Sequence, residues 1–379
     1  MIVVGMLSGT SVDALDVAVC RIEVAPAAAL ELLGHTEVPW PDDLRARLLA
    51  LLPPAATTVE EVAALDTALG RAAGAAAVEA LAAAGVSGDL VAWLGQTVFH
   101  GIADGRATGG LQLGQPAWIA EATGLPVVSD LRATDIAAGG QGAPLASTLD
   151  ALWLGPGRVA LNLGGIANVT VVGPPVLAYD TGPANCWLDV VAQRTGRSCD
   201  LDGALAASGT VHDGLLAHLL AAPYYAAPPP KTTGRELFTA PALDAAVAAA
   251  APGIGAPDLA ATLVALTART VADACLAHGP VEVVGSGGGT ANPVLRAAIA
   301  AELGPVPLVS SDEHGLPSAA KEAVLTGLLG ALTWHGVPGV RPGATGSAVP
   351  RVLGRISAGA APLRLPEPVG AVHTLEVRS

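Results

Sequence analysis

The chain has 379 residues, 51% of them hydrophobic and 14% charged, which provides apolar material for one large or two medium-sized domains and excludes a disordered chain. Its formal net charge of -14 makes nucleic acid and anionic membrane surfaces poor partners. The four cysteines show no CxxC pair and no metal-ligand spacing, and the first residues lack signal-peptide features. We therefore expect a cytoplasmic protein with reduced thiols.

The first predicted element is a β-hairpin over residues 2–19. Two apolar runs, 2–5 and 15–19, flank a turn of Gly, Ser and Thr residues, with the carboxylates of Asp13 and Asp16 beside it. A turn of this composition exposes backbone N–H groups to an anion, and an acidic residue at its edge could hold hydrated Mg2+. The hairpin therefore indicates either a binding site for nucleotide phosphates or a core hairpin with an ordinary polar turn.

Helices and strands alternate after this hairpin. In chain order we predict a helix over 41–52, a helix over 58–84, a strand over 90–94, a glycine-rich loop over 101–110, a helix over 117–123 and a strand over 126–130. The next loop, 131–144, concentrates Arg132, Asp135 and three glycines. This composition is typical of ligand contact, because glycine lets the backbone approach a ligand while Arg and Asp supply directed hydrogen bonds.

The middle of the chain repeats the plan of its start. We predict strands over 158–163, 167–172 and 176–179, the turn Gly164-Gly165, and a helix over 186–195. Asp180 ends the third strand, and the Thr-Gly turn after it opens the helix, which suits phosphate binding at a helix N-terminus. Asp180 is the strongest candidate for a general base, and a helix-capping aspartate explains its position equally well.

A glycine-rich turn, 285–290, is the last predicted nucleotide contact. It follows a strand over 281–284 and precedes a helix over 294–303, which is a nucleotide-site layout, with a plain tight turn as the alternative. The dinucleotide fingerprint G-x-G-x-x-G lacks its last Gly here, and the sequence has no G-K-S/T segment of a P-loop. Glu322, in the first turn of a later predicted helix, reads most simply as a partner of the helix dipole.

Taken together, these segments closely resemble the anhydro-N-acetylmuramic acid kinases, which belong to the superfamily of sugar kinases, actin and the chaperone ATPase domains. The resemblance covers nearly the whole chain and keeps its order. It rests on residues 5–16, 95–100, 111–145, 161–170, 180–185, 230–238, 285–295, 321–323 and 343–347. One such motif alone is weak, whereas nine in the right order identify the chain as a member of this family.

The resemblance implies an α/β fold with two ribonuclease-H-like domains of the actin and hexokinase type and an ATP cleft between them. The predicted domains are 1–127 and 128–349, with a tail over 350–379 that packs back on the first. The implied cofactors are ATP and Mg2+, the latter held through water by Asp13. The implied partner is a small sugar, without nucleic acid or membrane, and a homodimer stays open.

The resemblance also implies the site residues. Asp180 matches the family's general base, which activates a water at C1 while O6 of the anhydro sugar takes the γ-phosphoryl group of ATP, giving N-acetylmuramic acid 6-phosphate for cell-wall recycling. The implied ATP and phosphate contacts are Gly9, Thr10, Ser11, Val12, Asp13, Ala14, Leu15, Asp16, Gly164, Gly165, Gly285, Gly287, Gly288, Gly289 and Asn292. The implied sugar contacts are Gln96, Thr97, Arg132, Asp135, Gly140, Gln141 and Glu322.

Four positions depart from the family pattern. Ala14 and Ala184 stand where the family usually has Gly, and Trp93-Leu94 replace the usual Ser-His. Because Ala disfavours positive φ, the first change raises the question of whether the hairpin turn can close. The alternatives are a kinase of the same fold acting on another sugar or sugar acid, and a catalytically silent ATP-binding regulator.

Overall fold

The computed structural model describes residues 1–9, 12–53, 55–103, 106–229, 231, 233, 237–341 and 343–378. The strands are β1 (Ile2–Ser8), β2 (Ala14–Glu23), β3 (Ala27–Pro39), β4 (Leu90–Ala103), β5 (Arg106–Leu113), β6 (Val127–Ser129), β7 (Arg158–Leu163), β8 (Ile166–Val171), β9 (Leu177–Pro183), β10 (Glu282–Ser286), β11 (Leu308–Ser310), β12 (Arg355–Ser357) and β13 (Thr374–Arg378). The helices are α1 (Asp42–Leu51), α2 (Val59–Ala84), α3 (Pro116–Thr123), α4 (Ala133–Ala137), α5 (Ala146–Trp153), α6 (Asn185–Arg194), α7 (Ala204–Ala207), α8 (Asp213–Leu220), α9 (Pro223–Ala226), α10 (Ala240–Ala250), α11 (Ala256–Leu276), α12 (Pro293–Leu303) and α13 (Lys321–Trp334).

The chain divides into two compact units. Unit 1 comprises Met1–Trp153 and Ala320–Ser379, and unit 2 comprises Leu154–Ala319. These limits differ from the predicted ones, because the segment after residue 127 still contributes β6 and α5 to unit 1 and the chain returns to unit 1 already with α13. The β6 strand pairs with β4, which ties it to the first sheet.

Unit 1 is built on a sheet with the order β12-β6-β4-β1-β2-β3-β13, to which β5 adds a hairpin on β4. The three strands β1, β2 and β3 form an antiparallel meander, and β4 lies parallel to β1 with β6 parallel to β4. The last two strands of the chain extend both edges: β12 runs antiparallel to β6, and β13 runs parallel to β3.

The two faces of this sheet are covered differently. On one face, leucines of α2 such as Leu65 and Leu69 pack with Met6 and Val91 into a continuous apolar core. On the other face, α13 approaches so closely that a Cβ on Gly5 would lie 2.1 Å from the carbonyl oxygen of Ala323. The absence of a side chain at this strand position lets the helix backbone lie directly against the sheet.

Unit 2 repeats the arrangement with the sheet order β11-β10-β7-β8-β9. Its first three strands form an antiparallel meander, and β10 and β11 add parallel strands on the far side of β7. By length and composition, α11 is the one described helix that could cross a membrane, but 67% of its most apolar window is buried, as in the core helix of a globular domain.

Both units therefore share one strand order, 3-2-1-4-5, with an antiparallel meander followed by two parallel strands. This order confirms the predicted α/β class with two ribonuclease-H-like domains. The predicted glycine-rich loop over 101–110 is wrong, because β4 continues to Ala103 and β5 starts at Arg106, with Gly101 opposite Gly109. Paired glycines carry little strand propensity, so this hairpin has no visible sequence signal.

Candidate active site

The turn of the first hairpin joins β1 to β2, and its predicted contacts Thr10 and Ser11 lie outside the described residues. Val12 has a φ of 55°, in the left-handed region that a β-branched residue rarely adopts. Its N–H donates to the carbonyl oxygen of Gly9 at 3.1 Å, which closes the turn. A turn that contains a left-handed residue can gather backbone N–H groups into an anion-binding concavity.

Ala14 does not strain this turn. It is the first residue of β2 and pairs with Pro39, so its Cβ occupies an ordinary strand position. Asp13 is exposed and accepts the N–H of Ala14 at 2.9 Å. The side chains of Val12 and Leu15 are 0% and 1% exposed, so these two predicted contacts could reach a ligand through their backbone only.

Gln96 lies in the interior behind the turn, and the predicted sugar contact is not available to its side chain. It is 0% exposed. Its Oε1 accepts the hydroxyl of Ser8 at 2.6 Å, and its Nε2 donates to the carbonyl oxygens of Gly9 and Thr97, each at 3.2 Å. All its hydrogen-bonding groups are thus used inside unit 1. Thr97, by contrast, is half-buried and pairs with Gln112.

A β-bulge turns Gln96 into this position. The pairing of β1 with β4 shifts by one residue between Met6–Trp93 and Ser8–Gln96. Gly95, within the bulge, has a φ of 84°, and a Cβ there would lie 2.8 Å from that of Gln112. The Gly-Gln-Thr motif is therefore explained in part by the bulge, which requires Gly at position 95.

Asp135 organises the glycine loop that follows α4. It is 0% exposed, and its carboxylate accepts the N–H of Gly142 at 2.7 Å and the hydroxyl of Thr345 at 2.8 Å. Desolvation raises the pKa of Asp135, and these two hydrogen bonds oppose the rise. A direct sugar contact is therefore not available to this side chain either. A Cβ on Gly140 would lie 2.3 Å from the Asp135 carboxylate, and the N–H of Gln141 donates to Thr345 at 2.8 Å.

Arg132 and Glu322 bring opposite charges together in unit 1. Nη1 of Arg132 donates to the carbonyl oxygen of Gly142 at 2.7 Å, while its Nε has no hydrogen-bond partner among the described residues. Desolvation raises the pKa of Glu322 and the Asp16 carboxylate raises it further, while Lys321 and Arg132 lower it. Desolvation lowers the pKa of Arg132, against the effect of Glu322. This pair offers a cation and a carboxyl group to a polar ligand.

Two carboxylates and a histidine on β2 and β3 form a cluster of potential metal-ligand atoms in the described part of the chain. Asp16 lies directly opposite Glu37, and His35 Nε2 is 2.8 Å from Asp16 Oδ1. One ligand atom from each of the three residues falls within 4.8 Å of the others. The His35 ring contacts Asp16 at ion-pair distance, so a plain network of polar side chains explains the cluster equally well.

Asp180 lies at the end of β9 and is held in a fixed orientation. It is 9% exposed, and Oδ2 accepts the N–H of Thr233 at 2.7 Å. Its own N–H donates to the carbonyl oxygen of Lys231, and its carbonyl oxygen accepts the hydroxyl of Tyr224 at 2.8 Å. A carboxylate fixed in this way can accept a proton from a correctly placed water.

The first two N–H groups of α6 are already bonded to backbone, which argues against the phosphate site predicted there. The N–H groups of Asn185 and Cys186 donate to the carbonyl oxygens of Gly164 and Gly165, at 3.1 and 3.0 Å. The amide of Asn185 also donates to Gly164 at 2.9 Å. The carbonyl oxygens of the hairpin turn and the first N–H groups of the helix therefore bond to each other. Ala184 lies between them and has a negative φ, so the Ala side chain causes no strain there.

The glycine-rich turn after β10 lies beside a pocket in unit 2. Gly288 has open space where a Cβ would stand, whereas a Cβ on Gly287 or Gly289 would lie 2.4 Å from Asn162 or 2.8 Å from Leu163. The pocket has a volume of about 280 Å3, and its lining includes Asp189, Cys199, Asp202, Gly288 and Asn292.

The side chain of Asn292 caps the helix that follows this turn. Its Oδ1 accepts the N–H groups of Val294 and Leu295, at 3.0 and 3.1 Å, as the N-cap of α12. Gly285 lies within β10, between Leu161 and Ser310 on the neighbouring strands.

Comparison with known proteins identifies the family. A family model described as anhydro-N-acetylmuramic acid kinase matches residues 1–359. The chain belongs to this family. It is 53% identical over 380 residues to a protein of that name from Streptomyces coelicolor, covering 98% of this chain and 97% of the relative. A relative of the same name from Rhodococcus erythropolis is 49% identical over 376 residues, covering 95% and 94%.

Among solved structures, an activator of 2-hydroxyisocaproyl-CoA dehydratase from Clostridium difficile with bound ADPNP aligns over 87% of this chain and 94% of its own, at 12% identity and a TM-score of 0.43. Membership of the anhydro-N-acetylmuramic acid kinase family confirms the resemblance read from the motifs.

The departure at Trp93 lies in the core of this family member. Trp93 is 1% exposed, and its Nε1 donates to the carbonyl oxygen of Gly114 at 2.6 Å. A Cβ on Gly114 would lie 2.6 Å from the indole ring. The change is therefore a matter of packing behind the Gly95–Thr97 segment.

Sequence reasoning missed several residues around these loops. Trp40 donates from Nε1 to Ser8 Oγ at 2.9 Å, and Arg45 donates from Nε to the carbonyl oxygen of Val12 at 2.8 Å. Thr345 holds Asp135, as described above. No spacing rule marks these residues, because each reaches its loop from a distant part of the chain.

Proposed function

We propose that the protein is an ATP-dependent kinase that opens the 1,6-anhydro bond of anhydro-N-acetylmuramic acid and phosphorylates O6. Family membership over nearly the whole chain supports the reaction class. The observation that carries the assignment is Asp180, a nearly buried carboxylate fixed by the Thr233 N–H at the end of β9. The product would be N-acetylmuramic acid 6-phosphate, formed in the cytoplasm during cell-wall recycling.

In the proposed reaction, Asp180 takes a proton from a water that attacks C1 of the sugar. The bond between C1 and O6 breaks, O6 forms a bond to the γ-phosphorus of ATP, and ADP leaves. Asp180 can act as the base while its Oδ2 stays bonded to the N–H of Thr233. Phosphoryl transfer itself needs positioning and charge stabilisation more than covalent help.

The nucleotide contacts in this proposal are mainly backbone groups of glycine-rich turns. The backbone of the Gly9–Asp16 turn binds phosphate oxygens, and Gly164 and Gly165 approach the nucleotide through their backbone. Gly288 and the pocket beside it accept the adenosine, with Gly287 and Gly289 allowing the close turn. Asn292 fixes the start of α12 next to this pocket.

The acidic donors fit Mg2+, the proposed companion of ATP. Asp13 is exposed, and as an oxygen donor it suits Mg2+ bound through water, whereas the His35 nitrogen suits a softer ion better. When bound, the metal would neutralise phosphate charge.

The proposed sugar contacts are Thr97, Arg132, Gln141, the backbone of Gly140 and Glu322. Among the described residues the Arg132 Nε has no hydrogen-bond partner, and the Glu322 carboxyl group is close enough to Arg132 to raise its pKa against the effect of burial. Gln96 and Asp135 act indirectly in this scheme, since both are 0% exposed and hold the neighbouring backbone.

Product analysis tests the function. The protein is incubated with ATP, Mg2+ and the anhydro sugar in heavy-oxygen water, and the product is followed by mass spectrometry and NMR. We expect a 6-phosphorylated, ring-opened sugar with the heavy oxygen at C1 at early times. Turnover with another sugar of a panel only would favour the alternative kinase, and nucleotide binding without any turnover would favour a regulator.

Glu322 should control the acid side of the pH profile. Because its pKa is raised, its carboxylate gains a proton at a higher pH than an ordinary glutamate, so kcat/KM should fall as the pH is lowered through that raised value. Glu322→Gln should lower kcat/KM by about tenfold to a hundredfold and remove this acid limb. If the limb persists unchanged in the variant, it belongs to another group and the assignment to Glu322 is wrong.

A further inference from the structure

The backbone of the first hairpin turn is held in place by side chains from two other segments of unit 1. Behind it, a chain of hydrogen bonds runs from the Trp40 indole to Ser8, from Ser8 to Gln96, and from Gln96 to the carbonyl oxygen of Gly9, at 2.9, 2.6 and 3.2 Å. Trp40 is 4% exposed, and every member of this chain donates in one direction toward the turn. Such aligned bonds strengthen one another in a low-dielectric interior.

The far side of the same turn is held by Trp40, which directly follows β3, and by Arg45 of α1. The backbone N–H of Trp40 donates to the carbonyl oxygen of Asp13 at 3.2 Å, and Nε of Arg45 donates to that of Val12 at 2.8 Å. Val12 is the residue with the left-handed φ of 55°. A β-branched residue leaves that conformation readily unless its surroundings enforce it.

We propose that Trp40 and Arg45 are positioning residues that hold the backbone of Gly9, Val12 and Asp13 in place for phosphate binding. The inference rests on the proposed function for the role of the turn. The bonds reach the carbonyl oxygens of Gly9 and Val12, so the backbone is held at both ends of the turn. Loss of the hydrogen bond from either residue lets the turn relax, which weakens nucleotide binding more than it weakens sugar binding.

Two variants test this proposal, each with a matched control. Arg45→Met removes the donor to Val12, and Arg47→Met removes the same charge from the same helix, where Arg47 pairs only with the exposed Glu61 among the described residues. Trp40→Phe removes the donor to Ser8, and Trp187→Phe removes a buried indole donor of unit 2, which bonds to Thr239 at 3.0 Å.

The measurements are the KM for ATP, the KM for the sugar, the affinity for Mg·ADP by calorimetry, and the Tm. We expect Arg45→Met to raise the KM for ATP and weaken Mg·ADP binding about tenfold, and Trp40→Phe about threefold, with the KM for the sugar within twofold. Arg45→Lys, which keeps a donor and the charge, should recover part of the loss. The two control variants should bind Mg·ADP like the unaltered protein.

Equal losses in Arg45→Met and Arg47→Met would reduce the effect to net charge and overturn the proposal, as would unchanged Mg·ADP affinity in both Arg45→Met and Trp40→Phe. A parallel rise in both KM values with a lowered Tm would mark a merely structural role. Failure of the proposed function is a separate result, because the unaltered protein would then show no sugar-dependent turnover. The calorimetric comparison of Mg·ADP binding would still test the roles of Trp40 and Arg45.

Discussion

Asp180→Asn should lower sugar-dependent ADP release by about a thousandfold, because a positioned general base contributes a factor of this size to a proton-transfer step. The asparagine side chain is of the same size, and its carbonyl oxygen can still accept the N–H of Thr233. The fold around β9 should therefore persist while the ability to take the proton is lost. Coupled measurement of ADP release at saturating ATP and sugar gives the factor.

The control for this variant is Asp244→Asn, which removes an exposed carboxylate of unit 2 that pairs with Arg194. It should keep full turnover, since a surface ion pair contributes little to stability. Asp180→Asn should also bind Mg·ADP like the unaltered protein. Full turnover in Asp180→Asn would show that another group activates the water, and loss of Mg·ADP binding would show that the substitution had disturbed the fold.

The sequence allowed prediction of the parts of the fold that depend on local pattern. The hairpins β1–β2 and β7–β8 follow from apolar runs around short turns, and the start of α2 follows from its Thr58 cap, which accepts the N–H of Glu61. The position of Asp180 at a strand end follows from the same reasoning. The two ribonuclease-H-like domains came from the family resemblance, and the strand order itself was not predicted, since no local pattern encodes it.

The roles of individual side chains could not be predicted in the same way. Gln96 lies within a family motif, yet a bulge at Gly95 turns its side chain to the interior, and a bulge is visible only in the strand pairing. Asp135 likewise meets Thr345, a residue more than two hundred positions away. A motif thus marks where a site is built, while burial decides which of its residues can touch a ligand.

The same limit applies to the N-terminus of α6. The sequence shows a strand, a Thr-Gly turn and a helix, which is also the layout of a phosphate site. The carbonyl oxygens of Gly164 and Gly165 come from a turn 21 residues earlier and accept the N–H groups of Asn185 and Cys186. Competition of this kind between the backbone and a ligand depends on tertiary contacts alone.

Gly5→Ala should destabilise unit 1 by about 3 kcal/mol or more, because overpacking against backbone atoms has no flexible side chain to relieve it. A Cβ at this position would lie 2.1 Å from the carbonyl oxygen of Ala323 and 2.4 Å from the nitrogen of Gly327, both on α13. For a domain of this size the Tm should fall by roughly 10 °C. Thermal unfolding followed by circular dichroism or calorimetry measures the change.

Gly34→Ala is the matched control, because Gly34 lies in the same sheet and a Cβ there would meet only that of Ala84, at 3.9 Å. Its Tm should stay within a few degrees of the unaltered protein, at a cost or gain of about 1 kcal/mol or less. Equal Tm values for the two variants would mean that α13 does not lie directly on β1. Because Glu322 stands in the first turn of α13, displacing the helix from Gly5 should also reduce the activity of the molecules that remain folded, and Gly34→Ala should leave that activity unchanged.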